Sequence, residues 1–294
     1  MNKHIDLYPL MVWLDKENGN YWSFREKYCV MGGYKNKDIV GNKNGDILNK
    51  KLNNFMLRRK KSDVVDLPEK IIIDEYLEMD GKQSVLYEKI RKLSKQEIIK
   101  SKGNRNVILS CFSNLRKITD HPNWVDDKYK DSVKFDRIHQ LMYEINSNEQ
   151  KAIIFSNWAT PIQMLFDELK VYNPAMIIGE TKDRFSEIKK FQEDDSCKVI
   201  LGTIGAMGTG LTLTAASNVI FLDEPWNRAL KDQAIDRAHR IGTKSNVNIY
   251  TLMCKNTLDD TFVHKKVLSK GQVADNVVDG LPILPLEEVL DLLS

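Results

Sequence analysis

The sequence predicts an α/β fold in which a parallel sheet is flanked by helices and preceded by a mainly helical extension. Two observations predict it. Residues 151–256 alternate apolar, strand-like runs with segments of helical apolar spacing, which is the pattern of βαβ units. Residues 1–150 carry helical, aromatic and lysine-rich segments instead. The 294 residues are enough for one large domain or two modest ones.

The C-terminal half supplies the predicted strands. They are the apolar runs at 151–158, 175–179, 198–203, 219–224 and 248–254. Predicted helices separate them, and the last, at 228–240, is strongly polar. Loops that follow the carboxyl ends of parallel strands bind ligands in such sheets, so the residues after each run are candidate site residues. The N-terminal half has a glycine-containing loop at 32–45, a strand-like run at 71–79 and a lysine-rich helix at 82–101.

Composition excludes several classes of protein. No apolar run approaches the ~20 residues that span a bilayer, and the N-terminus has no cleavage site for secretion. We therefore expect a cytoplasmic protein, bacterial or phage-encoded, with no membrane partner. The closest cysteines, Cys197 and Cys254, lie 57 positions apart, which excludes a cysteine metal knuckle or redox motif, and we expect no metal site.

Positive charge is concentrated in two places, although the net charge of the chain is only +3. Residues 86–117 hold nine Lys and Arg against two Glu, a local net of +7, and Arg58 to Lys61 form a second basic run. Basic clusters of this kind bind phosphate backbones or lie on a solvated face. Charge alone leaves both interpretations open.

The segment 233–242 holds the strongest candidates for chemistry. Gln233, Arg237 and Arg240 are spaced by four and three residues, which places them on one face of a helix. Two neighbouring guanidinium groups favour a polyphosphate between them, because each binds phosphate oxygens in a bidentate manner. The alternative is a solvated face on which Arg240 pairs with Asp236.

Two further segments resemble phosphate and magnesium motifs without matching them. The glycine loop at 203–214 would let backbone amides approach an anion. It is not a Walker A loop, because GK[ST] is absent from all 294 residues. The run at 219–224 ends in Asp223 and Glu224 as a Walker B strand does. Without a P-loop, we interpret these two acids as locally paired or as a helix cap.

Longer segments resemble, in order, those of the Swi/Snf family of superfamily II DNA-dependent ATPases and helicases. They are LYPLMVWLD, FMLRRKKSDVVDLPEK, LRKITDHP, KAIIFSNW, GTGLTLTAASNVIFLDEPWN and QAIDRAHRIG, which together span nearly the whole chain. The resemblance implies a RecA-like lobe of the P-loop NTPase type. It would be the C-terminal one of two lobes that face each other across an ATP cleft. Thr212 and Thr243 depart from the asparagine and glutamine that are usual in the family.

The same resemblance assigns roles to individual residues. It implies that Arg237 and Arg240 act as catalytic arginine fingers on the γ-phosphate of ATP. Gln233, Gly208 and Gly210 complete the implied ATP-binding set. The implied contacts to the DNA backbone are Ser156, Asn157, Gly179, Thr203, Arg58 and Arg59.

The resemblance also implies how the chain is organised. Residues 1–55 are the helical end of the first lobe, and 56–130 are an inter-lobe linker with a basic helical region. Residues 131–275 are the C-terminal RecA-like lobe, followed by an amphipathic tail at 276–294.

Because the P-loop is missing, we expect a fragment of a longer ATP-dependent DNA translocase or helicase, inactive alone. ATP and Mg²⁺ would serve the full-length protein, and this chain would bind neither stably. Its expected partners are the DNA backbone, without sequence preference, and the first lobe of the same protein.

Two other functions stay open at this stage. One is a non-catalytic RecA-like module that binds DNA or a protein. The other is an α/β nucleotide-binding domain with an activity of its own, against which the missing phosphate loop counts. A reading frame upstream of Met1 that encodes GK[ST] and a DE-x-H box would favour the translocase.

Overall fold

The computed structural model divides into two compact units. The first comprises residues 1–65 and 269–283, and the second comprises residues 66–268 and 284–294. The structure describes residues 4–32, 38–57, 67–79, 81–207, 211–225, 228–243, 245–264, 277–278, 281–282 and 285–294.

The first unit is mainly helical, as the sequence predicts. Its N-terminal elements are the 3₁₀ helix His4–Leu7, α1 (Tyr8–Trp13), α2 (Tyr21–Tyr28), β1 (Cys29–Gly32), β2 (Asp38–Asn42) and α3 (Gly45–Asn53). Asn20 caps α2 by accepting the backbone N–H of Ser23 at 2.8 Å. Phe24 and Tyr28, one turn apart on α2, pack with residues of α1 and α3 in a small core. The predicted glycine loop differs, because β1 and β2 pair there as an antiparallel ribbon.

The second unit is built on a six-stranded parallel sheet, which confirms the predicted fold class. Its strands are β3 (Lys70–Leu77), β4 (Ala152–Ser156), β5 (Ala175–Ile177), β6 (Val199–Thr203), β7 (Asn218–Phe221) and β8 (Val247–Cys254). Their order across the sheet is β3-β8-β7-β4-β6-β5. All five predicted strands are present.

The edge strand β3 makes the second unit larger than the predicted lobe. It pairs with β8 along its whole length, from Lys70 opposite Val247 to Leu77 opposite Cys254. The compact unit therefore begins at residue 66, whereas the sequence analysis begins the lobe at 131. The strand-like run at 71–79 belongs to this sheet because its backbone groups find their partners on β8.

Helices cover both faces of the sheet. They are α4 (Gly81–Lys100), α5 (Arg105–Asp120), α6 (Val133–Ser147), α7 (Ala159–Glu168), α8 (Arg184–Glu193), α9 (Ile204–Met207) and α10 (Arg228–Ala238). Shorter helical turns are Pro122–Trp124, Lys170–Tyr172 and the π-helical turn Asp259–His264. Among the described residues, no helix is long and apolar enough to cross a membrane.

Alternate residues of β4 enter two different cores. Ile153 and Phe155 belong to a cluster with Phe191 of α8 and Ile235 of α10. Ile154 belongs to the opposite cluster, which α6 and α7 complete. Because both faces of the strand are buried, its sequence is a continuous apolar run, not an alternating one.

The predicted tail at 276–294 divides between the two units. The short strands β9 (Val277–Val278) and β10 (Leu281–Pro282) pair antiparallel in the first unit. Helix α11 (Leu286–Leu292) lies in the second unit and buries Val289, while Leu293 is buried just after it. Of the apolar face that the sequence predicts for the tail, Leu286, Val289, Leu290 and Leu293, the structure buries Val289 and Leu293 and leaves Leu286 exposed.

Candidate nucleotide and nucleic-acid site

The loops after β4, β5 and β6 lie at one edge of the sheet, which we call the carboxyl edge. Ser156 and Thr203, the last residues of β4 and β6, are directly opposite each other in the parallel register. Asn157 follows Ser156, and Gly179 lies two residues beyond the end of β5. The structure therefore brings together Ser156, Asn157, Gly179 and Thr203. Asn157 and Thr203 are half-buried, and Gly179 is exposed.

Ser156 differs from its neighbours because it is fully buried. Its hydroxyl donates a short hydrogen bond to Oδ2 of Asp223 and accepts the backbone N–H of Trp158 at 3.1 Å. The DNA contact predicted for Ser156 stays untested, and this burial does not favour it. The side chain instead holds the loop that carries Asn157.

Asp223 gathers donors from two segments at the end of β7. Besides Ser156, it accepts the backbone N–H of Asn157 at 3.1 Å, and the Asn157 side-chain amide donates to its other oxygen. Arg116 of α5 donates to the same carboxylate at 3.4 Å and to the backbone oxygen of Glu224 at 2.7 Å. Asp223 has no exposed surface, so these contacts replace the water that a carboxylate needs.

Glu224, the next residue, is held by a different set of groups. Lys231 of α10 donates to Oε1 at 2.6 Å, and Nδ1 of His264 lies 2.7 Å from Oε2. Burial pushes the pKa of Glu224 upward, but the hydrogen bond to His264 and the charge of Lys231 outweigh it. The pKa of Glu224 therefore lies below its ordinary value. The carboxylate of Glu224 pairs with the Lys231 ammonium and contacts the His264 ring.

Further buried ion pairs adjoin Asp223 and Glu224. Lys134 of α6 is fully buried and bridges Asp120 at 3.0 Å and Asp259 at 2.7 Å. Arg116 lies 3.7 Å from Asp259 as well as beside Asp223. Burial raises the pKa of Asp120 well above its ordinary range, in spite of the nearby Lys134 ammonium. We refer to Arg116, Asp120, Lys134, Asp223, Glu224, Lys231, Asp259 and His264 as the buried ionic cluster.

This cluster decides how Asp223 and Glu224 are to be interpreted. Both carboxylates are committed to basic side chains and amides of the same unit. They do not fit a magnesium site, where carboxylate oxygens or the water shell must face the ion. Both acids are paired within the protein, but only Lys231 is a local partner, because Arg116, Asn157 and His264 lie 40 to 107 positions away.

The polar helix α10 carries Gln233 and Arg237 of the predicted site, and Arg240 follows two residues after its end. Gln233 and Arg240 are exposed, and Arg237 is half-buried. Arg237 donates from Nη1 to the backbone oxygen of Leu211 at 3.4 Å, and Arg240 donates from Nη1 to Oγ1 of Thr212 at 3.3 Å. Both guanidinium groups therefore lie beside residues 211–212, the end of the predicted glycine loop.

Helix α10 ends at Ala238, two residues before the predicted end at Arg240. Gly242 has a φ of +106°, which a glycine adopts without strain. Thr243 donates its hydroxyl to the backbone oxygen of Ala238 at 2.6 Å and accepts the N–H of Arg240 at 3.1 Å. Arg240 therefore lies in a turn that Thr243 fixes.

The solvated-face alternative for α10 involves Asp236. Its Oδ1 lies 3.2 Å from Nζ of Lys70 on β3, and both side chains are about half exposed. This ion pair holds α10 against the edge of the sheet.

Some predicted site residues lie outside the described residues. They are Arg58 and Arg59 of the basic run and Gly208 and Gly210 of the glycine loop. Their predicted DNA and ATP contacts stay predictions.

Sequence reasoning missed the cations of the buried ionic cluster. Arg116 was counted in the +7 stretch but is 1% exposed, so it cannot serve a surface ligand. The sequence does indicate that Arg116 is buried, because its spacing places it among the inward-facing positions of α5, between Phe112 and Thr119. A charged residue at such a position requires a buried partner.

Comparisons with known proteins match two family models to successive parts of the chain. The family model described as SNF2-related domain matches residues 2–124, and that of the helicase conserved C-terminal domain matches residues 133–242. The chain is 33% identical over 234 residues to an uncharacterized ATP-dependent helicase of Mycoplasma pneumoniae, covering 77% of this chain and 23% of that protein.

Solved structures agree with the sequence relatives. The Sulfolobus solfataricus SWI2/SNF2 ATPase core domain superposes with a TM-score of 0.64 at 26% identity, covering 99% of this chain and 62% of that one. The same core in complex with dsDNA gives a TM-score of 0.57 at 28% identity, covering 82% of this chain and 52% of that one.

The chain belongs to the SWI2/SNF2 family. It spans 23%, 21% and 16% of the length of three curated relatives that it matches. The SNF2-related match ends at residue 124, within the second compact unit. The RecA-like sheet of this SWI2/SNF2 chain therefore takes its edge strand from the SNF2-related segment.

We expect stability to depend on pH through His264. Its hydrogen bond to Glu224 raises its pKa, although burial opposes the shift. A raised folded-state pKa stabilises the fold fully below the unfolded value of about 6.5, and this contribution is lost as pH rises through the folded value. The difference in unfolding free energy between wild type and His264→Gln should therefore shrink from about pH 5 to about pH 8.

The measurement is urea unfolding of both proteins across that pH range. His139→Gln is the matched control, because the His139–Glu168 pair is exposed and 2.8 Å long. Its loss should cost under about 1 kcal/mol at every pH. A His264→Gln difference that grows with pH would contradict the assignment of a charged His264.

Proposed function

We propose that this chain is the C-terminal RecA-like lobe, with the end of the first lobe, of an ATP-dependent DNA translocase or helicase. The arginine pair would serve ATP bound on the first lobe, and the carboxyl edge would contact the DNA backbone. The observation that carries the proposal is the arrangement of Arg237 and Arg240 beside residues 211–212. Two cations fixed side by side at a ligand-binding edge suit a triphosphate.

The residues present fit one half of an ATP site. Arg240 is exposed and Arg237 half-buried, so both can approach an anion presented by another lobe. Their hydrogen bonds to Leu211 and Thr212 use neutral acceptors. Bound ATP would supply the phosphoanhydride that is hydrolysed, with Mg²⁺ held outside this chain. Arg237 and Arg240 would orient and neutralise its terminal phosphate.

DNA contact is supported by the open carboxyl edge. A Cβ added at Gly179 or Gly205 would meet no atom within 4 Å, so a backbone ligand can approach both positions. Lys182 is exposed between Gly179 and α8, and Thr203 and Asn157 present polar groups nearby. The related archaeal ATPase core whose structure is described with dsDNA gives this proposal its partner. Contacts to phosphates bring affinity without sequence preference.

The DNA proposal predicts weak, salt-sensitive binding of duplex DNA by this chain. The observed log affinity should fall linearly with log salt, and Lys182→Ala should reduce that slope by about 0.9 if the lysine neutralises one phosphate. Fluorescence anisotropy on two unrelated duplex sequences across a salt series measures both effects.

Lys170→Ala is the matched control for Lys182. Lys170 follows α7 at the opposite, amino edge of the sheet and pairs with Asp167 in solvent. Its removal should leave the slope unchanged. Equal losses at Lys170 and Lys182, or binding that strongly prefers one sequence, would remove the carboxyl edge from the DNA interface.

The ATP proposal predicts the effect of truncating either arginine in the protein that includes its ATP-binding lobe. Arg237→Ala or Arg240→Ala should lower DNA-stimulated turnover by about 10³–10⁵, the range that arginine fingers contribute, or roughly 4–7 kcal/mol of barrier. Lysine at either position should restore little, because a point charge does not replace the planar fork. Phosphate release and melting temperature are measured on the same variants.

Arg228→Ala is the control on the same helix. Its guanidinium lies 3.8 Å from Asp232 with more than half of each side chain exposed, so its loss should change little. Wild-type turnover with a lowered melting temperature in the Arg237 and Arg240 variants would make them structural. That outcome would remove both arginines from the proposed ATP site while leaving ATP hydrolysis itself intact.

A further inference from the structure

Asp223 and Glu224 are adjacent in sequence but hold two different functional segments. Asp223 binds the loop after β4, and Glu224 binds α10, which carries Arg237 and leads into the turn that holds Arg240. Both carboxylates lie at the end of β7, next to β4 in the sheet. The peptide bond between them therefore connects the proposed DNA edge to the proposed ATP-facing helix.

The Asp223 side of this connection is rigid. Its carboxylate accepts hydrogen bonds from the backbone and side chain of Asn157 and from Ser156. The Asn157 amide also donates to the backbone oxygen of Glu224 at 3.3 Å, and Arg116 donates to the same oxygen at 2.7 Å. A shift of the Asn157 loop must therefore displace the backbone of Glu224 as well as the carboxylate of Asp223.

The Glu224 side reaches α10 through one buried lysine. Lys231 is 9% exposed, and its ammonium donates to Glu224 at 2.6 Å and to Oγ1 of Thr251 on β8 at 3.0 Å. Its charge also lies 5.5 Å from the ring centre of Phe221 on β7. Lys231 is six residues before Arg237 on the same helix, so it anchors the end of α10 opposite the arginines.

The other contacts of α10 differ in strength. The N–H of Leu213 donates to the backbone oxygen of Arg237 at 3.0 Å, which ties the end of the helix to the segment after the glycine loop. The Asp236–Lys70 pair is about half exposed and therefore weak. The buried Glu224–Lys231 pair is thus the strongest electrostatic anchor among these three contacts.

We propose that Glu224 and Lys231 are positioning residues that couple the proposed DNA edge to the arginine pair. The proposal rests on the proposed function, because it assumes that Arg237 and Arg240 serve ATP and that the carboxyl edge binds DNA. Loading of the Asn157 loop by DNA shifts the Asp223–Glu224 backbone, and the Glu224–Lys231 pair carries that shift into α10. The continuous set of contacts described above supports this proposal.

The test uses the protein that includes its ATP-binding lobe, with Glu224→Gln and Lys231→Met as separate variants. Both side chains are replaced by groups of similar length, and the helix keeps its packing on Phe221. We expect DNA-stimulated kcat to fall by about 10²-fold, the effect of displacing a reacting group by about 1 Å. The Kd for duplex DNA should not change, because the Asp223 contacts remain.

Asp236→Asn is the matched control, since it removes the exposed anchor of the same helix. It should leave both DNA-stimulated kcat and DNA affinity at the wild-type level. If Asp236→Asn lowers kcat as much as Lys231→Met, the buried pair has no special role and the inference is overturned.

Amide hydrogen exchange on the present chain gives a readout independent of activity. In Lys231→Met the Leu213 amide, which bonds to Arg237, should exchange faster, while the Asn157 amide, which bonds to Asp223, should keep its protection. A purely structural role would instead lower the melting temperature and speed exchange of both amides together. That outcome, or loss of folding in both variants, assigns the pair to the fold and overturns the inference.

The failures of the two proposals are distinguishable. Wild-type DNA-stimulated turnover in Glu224→Gln and Lys231→Met overturns the coupling role and leaves the proposed function intact. A wild-type protein whose ATP hydrolysis ignores DNA, or a chain that does not bind DNA, overturns the proposed function itself.

Discussion

Two buried carboxylates at the end of β7 determine how the second unit is arranged. Asp223 and Glu224 are 0% and 3% exposed, so each must find cations and donors inside the protein. Arg116 comes from α5, Lys231 from α10 and His264 from the π-helical turn. Removing one partner from a buried pair of this kind costs about 3–5 kcal/mol, because the other charge is left without compensation. Because both carboxylates need buried partners, α5, α10 and the π-helical turn all pack at the end of β7.

The parallel sheet brings the functional loops to that same point. The register of β4 and β6 places Ser156 and Thr203 opposite each other. Asp223 lies two residues beyond the end of β7. Lys182 and Gly179, which follow β5 at this edge, are exposed. In our account the buried charges shape the edge and the exposed residues meet the ligand.

The central strands were predictable from sequence because they are buried on both faces. Their continuous apolar runs are typical of such strands, as β4 and β6 illustrate. The edge strand β3 was recognised as strand-like, but its sheet was not, because its partner β8 lies more than a hundred residues away. The sequence predicts a loop where β1 and β2 pair as a ribbon, because both strands are short and half exposed.

Some site residues could likewise be predicted from local sequence spacing, whereas others depend on partners far away in the sequence. Helical spacing alone placed Arg237 and Arg240 together, although the turn at Gly242 ends the helix before Arg240. The partners of Asp223 could not be deduced, because Arg116 is 107 positions away along the chain. Burial of Ser156 was equally hidden, since it depends on that distant carboxylate.

The central claim is that this chain supplies only half of an ATPase. Phosphoryl transfer needs a phosphate-binding loop and a held metal ion as well as the arginines, and none of the 294 residues forms GK[ST]. Phosphate release by the purified chain, with ATP and Mg²⁺ in the presence and absence of duplex DNA, tests this directly. Our account predicts background release in both conditions. DNA-stimulated turnover by this chain alone would contradict it.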